Sequence, residues 1–179
     1  MKKLVIVFIF IMFFSQFAFS DGVDVSSFIG AYTGYGHRMA DNRIYDHEEF
    51  NYLMFGISIR FGLSYEISDD LKLYFLSLFD FGSYINFTPE FLSLYLHDDI
   101  IFGGEIKAKY KSFFFGLGSG MGLHMSPLIT RYLLLRPSFG YNIKPNLLLD
   151  VFVDLDNVGI VPRPEGTDFR LGFTFYFFK

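Results

Sequence analysis

His124 and Ser126, two residues apart across Met125, are side chains of the types that nucleophilic catalysis uses. On a strand, residues i and i+2 share a face, so this spacing sets an imidazole base beside a hydroxyl nucleophile. The chemistry also needs a third group to orient the base. A second set, Asp46, His47 and Glu48, offers oxygen and nitrogen ligands for a divalent cation. Three ligands adjacent in a polar segment cannot easily converge on one ion, and a solvated loop is the favoured reading. The chain has no Cys, which excludes thiol chemistry, disulfides and a lipidated N-terminal cysteine. No metal site and no cofactor is expected. A third set is charged: Arg60, Lys72, Lys107, Arg136 and Arg170, with Glu66, Asp80, Glu105, Asp150 and Asp154, all set inside otherwise apolar segments.

Those segments are strands. The chain is 51% hydrophobic and 21% aromatic, with 26 Phe, 12 Tyr and no Trp, and this apolar content is spread through short alternating runs. That distribution is the signature of a transmembrane barrel rather than of membrane helices. Eight runs emerge, at about 26–36, 51–67, 71–84, 100–110, 113–125, 131–143, 147–156 and 168–178. Short polar turns join some of them, at Ser68-Asp69-Asp70, Lys111-Ser112 and Lys144-Pro145-Asn146. Longer polar segments join the others, at 37–50, 85–99 and 157–167, with a brief one from Ser126 to Thr130. Short turns on one rim and long loops on the other are the plan of an outer-membrane barrel. Tyr65-Glu66-Ile67 before one short turn and Leu71-Lys72-Leu73 after it echo Tyr141-Asn142-Ile143 and Leu147-Leu148-Leu149 around another.

Size decides which face is inside. The second run sets Leu53, Phe55, Ile57, Ile59, Phe61 and Leu63 against Gly56, Ser58, Arg60, Gly62 and Ser64. The seventh sets Leu147, Leu149, Val151, Val153 and Leu155 against Asp150, Asp154 and Asp156. Eight strands enclose an interior only just wide enough for side chains, so the bulky apolar face must point outward and the Gly, Ser and charged face inward. With lipid beyond it, the sheet must close so that no backbone group is left unpaired. The reading is therefore all-β: a closed antiparallel eight-stranded transmembrane β-barrel. Charges enclosed this tightly have to pair, which predicts an ion-pair network of Arg60, Glu105, Lys107, Arg136, Asp150, Asp154 and Arg170. Such a network fills the lumen and sets register; the alternative is a narrow, gated, porin-like conduit.

The two termini supply an address. Lys2 and Lys3, the apolar stretch from Leu4 to Phe17 and the small-x-small Ala18-Phe19-Ser20 read as a signal peptide over 1–20, with the barrel domain at 21–179. The run is shorter than the roughly 20 apolar residues that span a bilayer. Two of the 15 Lys and Arg fall in this leader, so 13 remain against 19 Asp and Glu, a formal charge of −6. With no basic stripe to meet phosphates, no nucleic-acid partner is expected. At the other end Phe169, Leu171, Phe173, Phe175 and Phe177 share one face of a last strand, a poor edge in water but a good one against lipid. Arg170, Gly172, Phe175 and Phe177 resemble the C-terminal signal by which bacterial outer-membrane barrels are recognised for insertion; Phe178 and Lys179 follow it here. With the signal peptide and the hairpin pattern, the whole of 21–179 resembles the OmpA-like and OmpX-like family of eight-stranded outer-membrane barrels. That resemblance implies outer-membrane lipid and the barrel-assembly machinery as partners. The Phe-, Ile- and Tyr-rich composition is also similar to that of the small barrels of spirochaetes, some of which bind host proteins.

His124-Met125-Ser126 resembles the His-x-Ser of outer-membrane lipid A deacylases, in which His is the base and Ser the nucleophile. The likeness stops there. Pro127-Leu128 stands where that family has Asn-Ala, and Ser138 and Phe139 occupy the region of its acidic partner. A rim His beside a turn-initiating Ser-Pro is the favoured reading, and no catalytic residue is assigned. Candidate partner-binding residues lie in the loops instead: Arg43 and His47 in the first, Phe91, Leu94 and Tyr95 in the second, and Arg163, flanked by Pro162 and Pro164, in the last. The second loop is either a short exposed helix after Thr88-Pro89 or a continuation of its strands. Its apolar groups either meet a partner or pack on neighbouring loops. The expectation is a non-enzymatic surface barrel whose loops act in adhesion, binding host extracellular proteins, or in envelope integrity. A narrow channel is the alternative, and a lipid A-modifying hydrolase a further one.

Overall fold

A computed structural model describes residues 23–39, 50–87, 96–126, 128–156 and 167–178. They form eight strands: β1 (Val23–Met39), β2 (Phe50–Ser68), β3 (Leu71–Phe87), β4 (Leu96–Tyr110), β5 (Phe113–Ser126), β6 (Leu128–Lys144), β7 (Leu147–Asp156) and β8 (Thr167–Phe178). Each is antiparallel to the next, and β8 pairs with β1 from Phe28↔Phe178 to Met39↔Thr167, so the sheet closes. Closure leaves no sheet edge for lipid to meet, which is the condition for strands to cross a bilayer.

The short turns form one rim. Asp69-Asp70, Lys111-Ser112 and Pro145-Asn146 are the connections there. Backbone bonds from Lys111 to Asp70, from Asn142 to Ser112 and from Phe178 to Asn146 stitch neighbouring turns together. The echo around Ile67 and Ile143 has a structural cause: the register skips from Glu66 to Ser68 against β3 and from Asn142 to Lys144 against β7. Each Ile is the extra residue of a β-bulge beside its turn, a device that sharpens local twist. On the opposite rim the strands run further than their composition suggests. β1 reaches Met39, β3 reaches Phe87, and β4 already begins at Leu96. Most of the expected connection at Ser126–Thr130 is likewise strand, with Ser126 paired to Leu128. Polar residues there mark where the strands leave the apolar layer, and the ladder continues beyond it.

The outer surface carries the apolar load. Phe55, Ile57 and Phe61 of β2, Phe115 and Leu117 of β5, and Leu171, Phe173 and Phe175 of β8 all point away from the lumen and are exposed. Ten residue steps separate Leu53 from Leu63; at about 3.3 Å each and a tilt near 40°, they cover about 25 Å, the height of the apolar band of outer-membrane barrels. Tyr65, Tyr110 and Tyr141 girdle the short-turn end of this band. At the other end polar groups appear on the outer face, with Ser83 donating to Asp98 at 2.7 Å and His37 bonded to Asn51 at 2.8 Å.

Candidate functional site

The lumen is filled, in layers. Nearest the short turns lies an aromatic floor of Phe28, Tyr74, Leu76, Phe114, Leu148 and Tyr176, with Phe178 packed against it. Phe28 is its hub, meeting Tyr74, Phe114 and Tyr176 edge-on and stacking on Phe178 at 5.1 Å. All six floor residues fall on the inward parity of their strands, so the alternation that faces Phe and Ile to lipid puts these rings inside.

Above the floor runs a ladder of ion pairs. Lys107 bonds Asp150 at 2.7 Å and Glu105 at 3.2 Å. Glu105 also accepts from Arg60 Nε at 2.8 Å, and Arg60 reaches Asp80 at 2.6 Å. Asp80 then pairs with Arg136, which grips Asp154 with two donors, Nε at 2.5 Å and Nη2 at 2.7 Å. Arg170 continues the chain to Asp154 at 3.8 Å, Asp156 at 2.6 Å and Asp99 at 2.9 Å. Apart from Lys107 and Glu105, which both belong to β4, adjacent members come from different strands, so the ladder crosses the lumen repeatedly and ties β2, β3, β4, β6, β7 and β8 together. Four cations share it with six carboxylates, and all four also lie over rings: Arg60 and Lys107 over Tyr176, Arg136 over Phe152 at 4.4 Å and Arg170 over Tyr132 at 4.9 Å. Charge-assisted bonds in such a dry interior are strong, and an unpaired member would be costly.

Two apolar groups occupy the lumen towards the long-loop end: Tyr32, Tyr52, Met54, Tyr84 and Phe152, and Leu78, Ile101, Tyr132 and Leu134. Rings fit at both ends of the lumen because glycine stands directly across from them on a paired strand. Tyr32 faces Gly56, Tyr52 faces Gly36, Tyr132 faces Gly122, Phe152 faces Gly172 and Tyr176 faces Gly30. In each case the ring covers the space that a Cβ would need; one added at Gly30 would lie 2.8 Å from the Tyr176 ring.

The seven network residues read from the sequence, Arg60, Glu105, Lys107, Arg136, Asp150, Asp154 and Arg170, all lie buried on this lumenal ladder. Asp80, assigned to the inward face, is its central carboxylate. Lys72 and Glu66 belong elsewhere: Lys72 sits at the short-turn mouth bonded to Asp24 at 2.9 Å, and Glu66 is exposed. Both are too close to the turn to be enclosed. Asp99, placed by the sequence in the second loop, is a β4 residue bound to Arg170. The interior also departs from the expected Gly, Ser and charge filling, since its floor and long-loop end are largely aromatic. Arg170 and Gly172 of the insertion signal face the lumen, while Phe175 and Phe177 face outward. Arg43, His47, Phe91, Leu94, Tyr95, Arg163 and the segment 1–20 lie outside the described residues. His124 and Ser126 are both in β5, opposite Asp99 and Leu128 respectively.

No family model and no curated protein sequence matches the chain. Solved structures do. Neisserial surface protein A superimposes with a TM-score of 0.56 at 14% identity, over 86% of this chain and 98% of that one. Ail, the attachment invasion locus protein of Yersinia pestis, solved with the heparin analogue sucrose octasulfate, matches at 0.44 and 11% identity, over 87% and 99%. An outer membrane channel from Pseudomonas putida F1 matches at 0.34 and 11%, over 87% and 96%. At such identities the likeness to the Neisserial protein is one of fold. By its closed eight-stranded ladder, its apolar belt and that likeness, the chain has the fold of the small outer-membrane β-barrels.

Proposed function

We propose that the chain is a non-enzymatic barrel of the bacterial outer membrane that acts through its extracellular loops rather than through its lumen. One observation carries this reading: the lumenal ladder from Lys107 to Arg170 stands on a closed aromatic floor, so the interior is occupied by the protein itself. A scaffold of this kind holds its loops at fixed separations on a rigid rim, and recognition belongs to such loops. Phe91, Leu94 and Tyr95 supply apolar contact area, with Arg43, His47 and Arg163 as polar and cationic partners. Their chemistry suits an extracellular protein of the host or a neighbouring envelope component. Export through the 1–20 leader, and recognition of the β8 pattern by the assembly machinery, complete the route to that surface.

The test is binding by the chain from Asp21 to Lys179, refolded in detergent, to a panel of matrix and serum proteins. A parallel sample has Phe91–Leu96 replaced by a short Gly-containing turn. Saturable binding that disappears in the trimmed sample supports the reading. Binding no greater than that of a denatured control, together with steady currents across a planar bilayer, would favour the narrow conduit instead.

A further inference from the structure

We propose that the β6–β7 seam is where the barrel wall opens, and that the Arg136–Asp154 pair is the latch that holds it shut. The β6–β7 register runs Leu134↔Asp156 and Leu135↔Leu155, then resumes at Ser138↔Phe152. Arg136 and Pro137 have no β7 partner between them. The cause is chemical: Pro137 carries no N–H, so the ladder lacks a bond that every other residue type would supply. The lapse is one-sided, because on the β5 side Gly118↔Arg136 and Leu117↔Pro137 pair without a break. Among the described residues, other breaks in pairing within a strand pair occur only at the bulges beside the turns, whereas this one lies within the apolar band and keeps the register on both sides. Among the described residues β7 is also the shortest strand, with 10 residues.

At this gap the side chains take over. Arg136 and Asp154 would face each other at the missing pair, and Arg136 holds Asp154 by two bonds of 2.5 and 2.7 Å from the lumen side. Phe152 lies beneath the guanidinium. Both latch residues are also committed elsewhere, Arg136 to Asp80 of β3 and Asp154 to Arg170 of β8. The wall is therefore closed by the same ladder that fills the lumen, and loosening that ladder frees this seam first. Pro137 itself is exposed on the outer face, so an opening here joins the charged mid-lumen to the acyl-chain region.

Amide hydrogen exchange on the refolded chain in micelles tests this. Amides of Val151–Leu155 that donate to β6 should exchange at least tenfold faster than β2 amides of Ile57–Phe61 that donate to β3 at similar height. Pro137→Val, which restores a donor, should slow the β7 amides tenfold or more. Asp154→Asn should speed them further and leave β2 unchanged. Equal protection of the two seams in the native chain would overturn the proposal, as would Asp154→Asn speeding all strands alike. The native comparison decides even if neither variant folds.

Discussion

Replacing Arg136 with Ala separates a filled lumen from a gated one. Arg136 is 3% exposed, and its removal strands two carboxylates unequally. Asp80 keeps Arg60 at 2.6 Å and the Ser58 hydroxyl at 2.6 Å, so it remains satisfied. Among the described residues Asp154 keeps only Arg170, at 3.8 Å. The penalty is thus close to that of one stranded buried charge, about 3–5 kcal/mol. The lost stacking on Phe152, which is desolvated, adds up to about 2 kcal/mol. A net loss of about 5 kcal/mol is expected, and Arg136→Ala combined with Asp154→Ala should recover about half of it, because no lone carboxylate remains. The chain has no Trp, so urea unfolding in vesicles is best followed by far-UV circular dichroism. Planar-bilayer recordings on the same variant should show no large conductance, because the floor of Phe28, Phe114 and Tyr176 is untouched. A loss below about 1 kcal/mol would refute the charge argument, since stranding a buried carboxylate cannot be that mild. Stable, wide currents would refute the floor.

Three further outcomes are expected. Gly122→Ala places a Cβ into the Tyr132 ring, whose hydroxyl donates to Asp99 at 2.8 Å, and should cost about 1–3 kcal/mol in the same unfolding assay. Leu117→Arg, at the centre of the lipid-facing band, should cost about 2–4 kcal/mol, whereas Tyr110→Arg in the girdle should cost about 0–1 kcal/mol; similar losses would mean that the band is misplaced. Lys111 holds a left-handed backbone with φ of 55° in its turn, so Lys111→Gly should stabilise the barrel by about 1 kcal/mol, read as a higher urea midpoint.

Facing was legible in the sequence because it depends on two local quantities, parity along a strand and side-chain volume. Arg60, Arg136, Asp154 and Arg170 could be set at one height simply by counting residues from the short turns. The aromatic interior could not be read that way. Tyr52 and Tyr132 fit inside only because Gly36 and Gly122 stand opposite, and who stands opposite is a matter of register, which pairs residues far apart in the chain. Asp99 was hidden for a different reason. It follows His97 and Asp98 in a polar run that reads as loop, yet the β4 ladder extends through it. The repeated hairpin around Ile67 and Ile143 was visible as a pattern, but not the bulge that explains it.

Glycines beneath the lumenal rings have a consequence for assembly. Sliding one strand past its neighbour by two residues keeps every side chain on its proper face, so hydrophobic patterning alone does not forbid it. At the closing seam such a slip would bring Tyr176 opposite Phe28 or Tyr32 instead of Gly30. Two large rings would then compete for a volume that holds one. The pairing of large with absent side chains therefore acts as a gauge of alignment, and it rejects miscounted closures by bulk before any charge has found its partner.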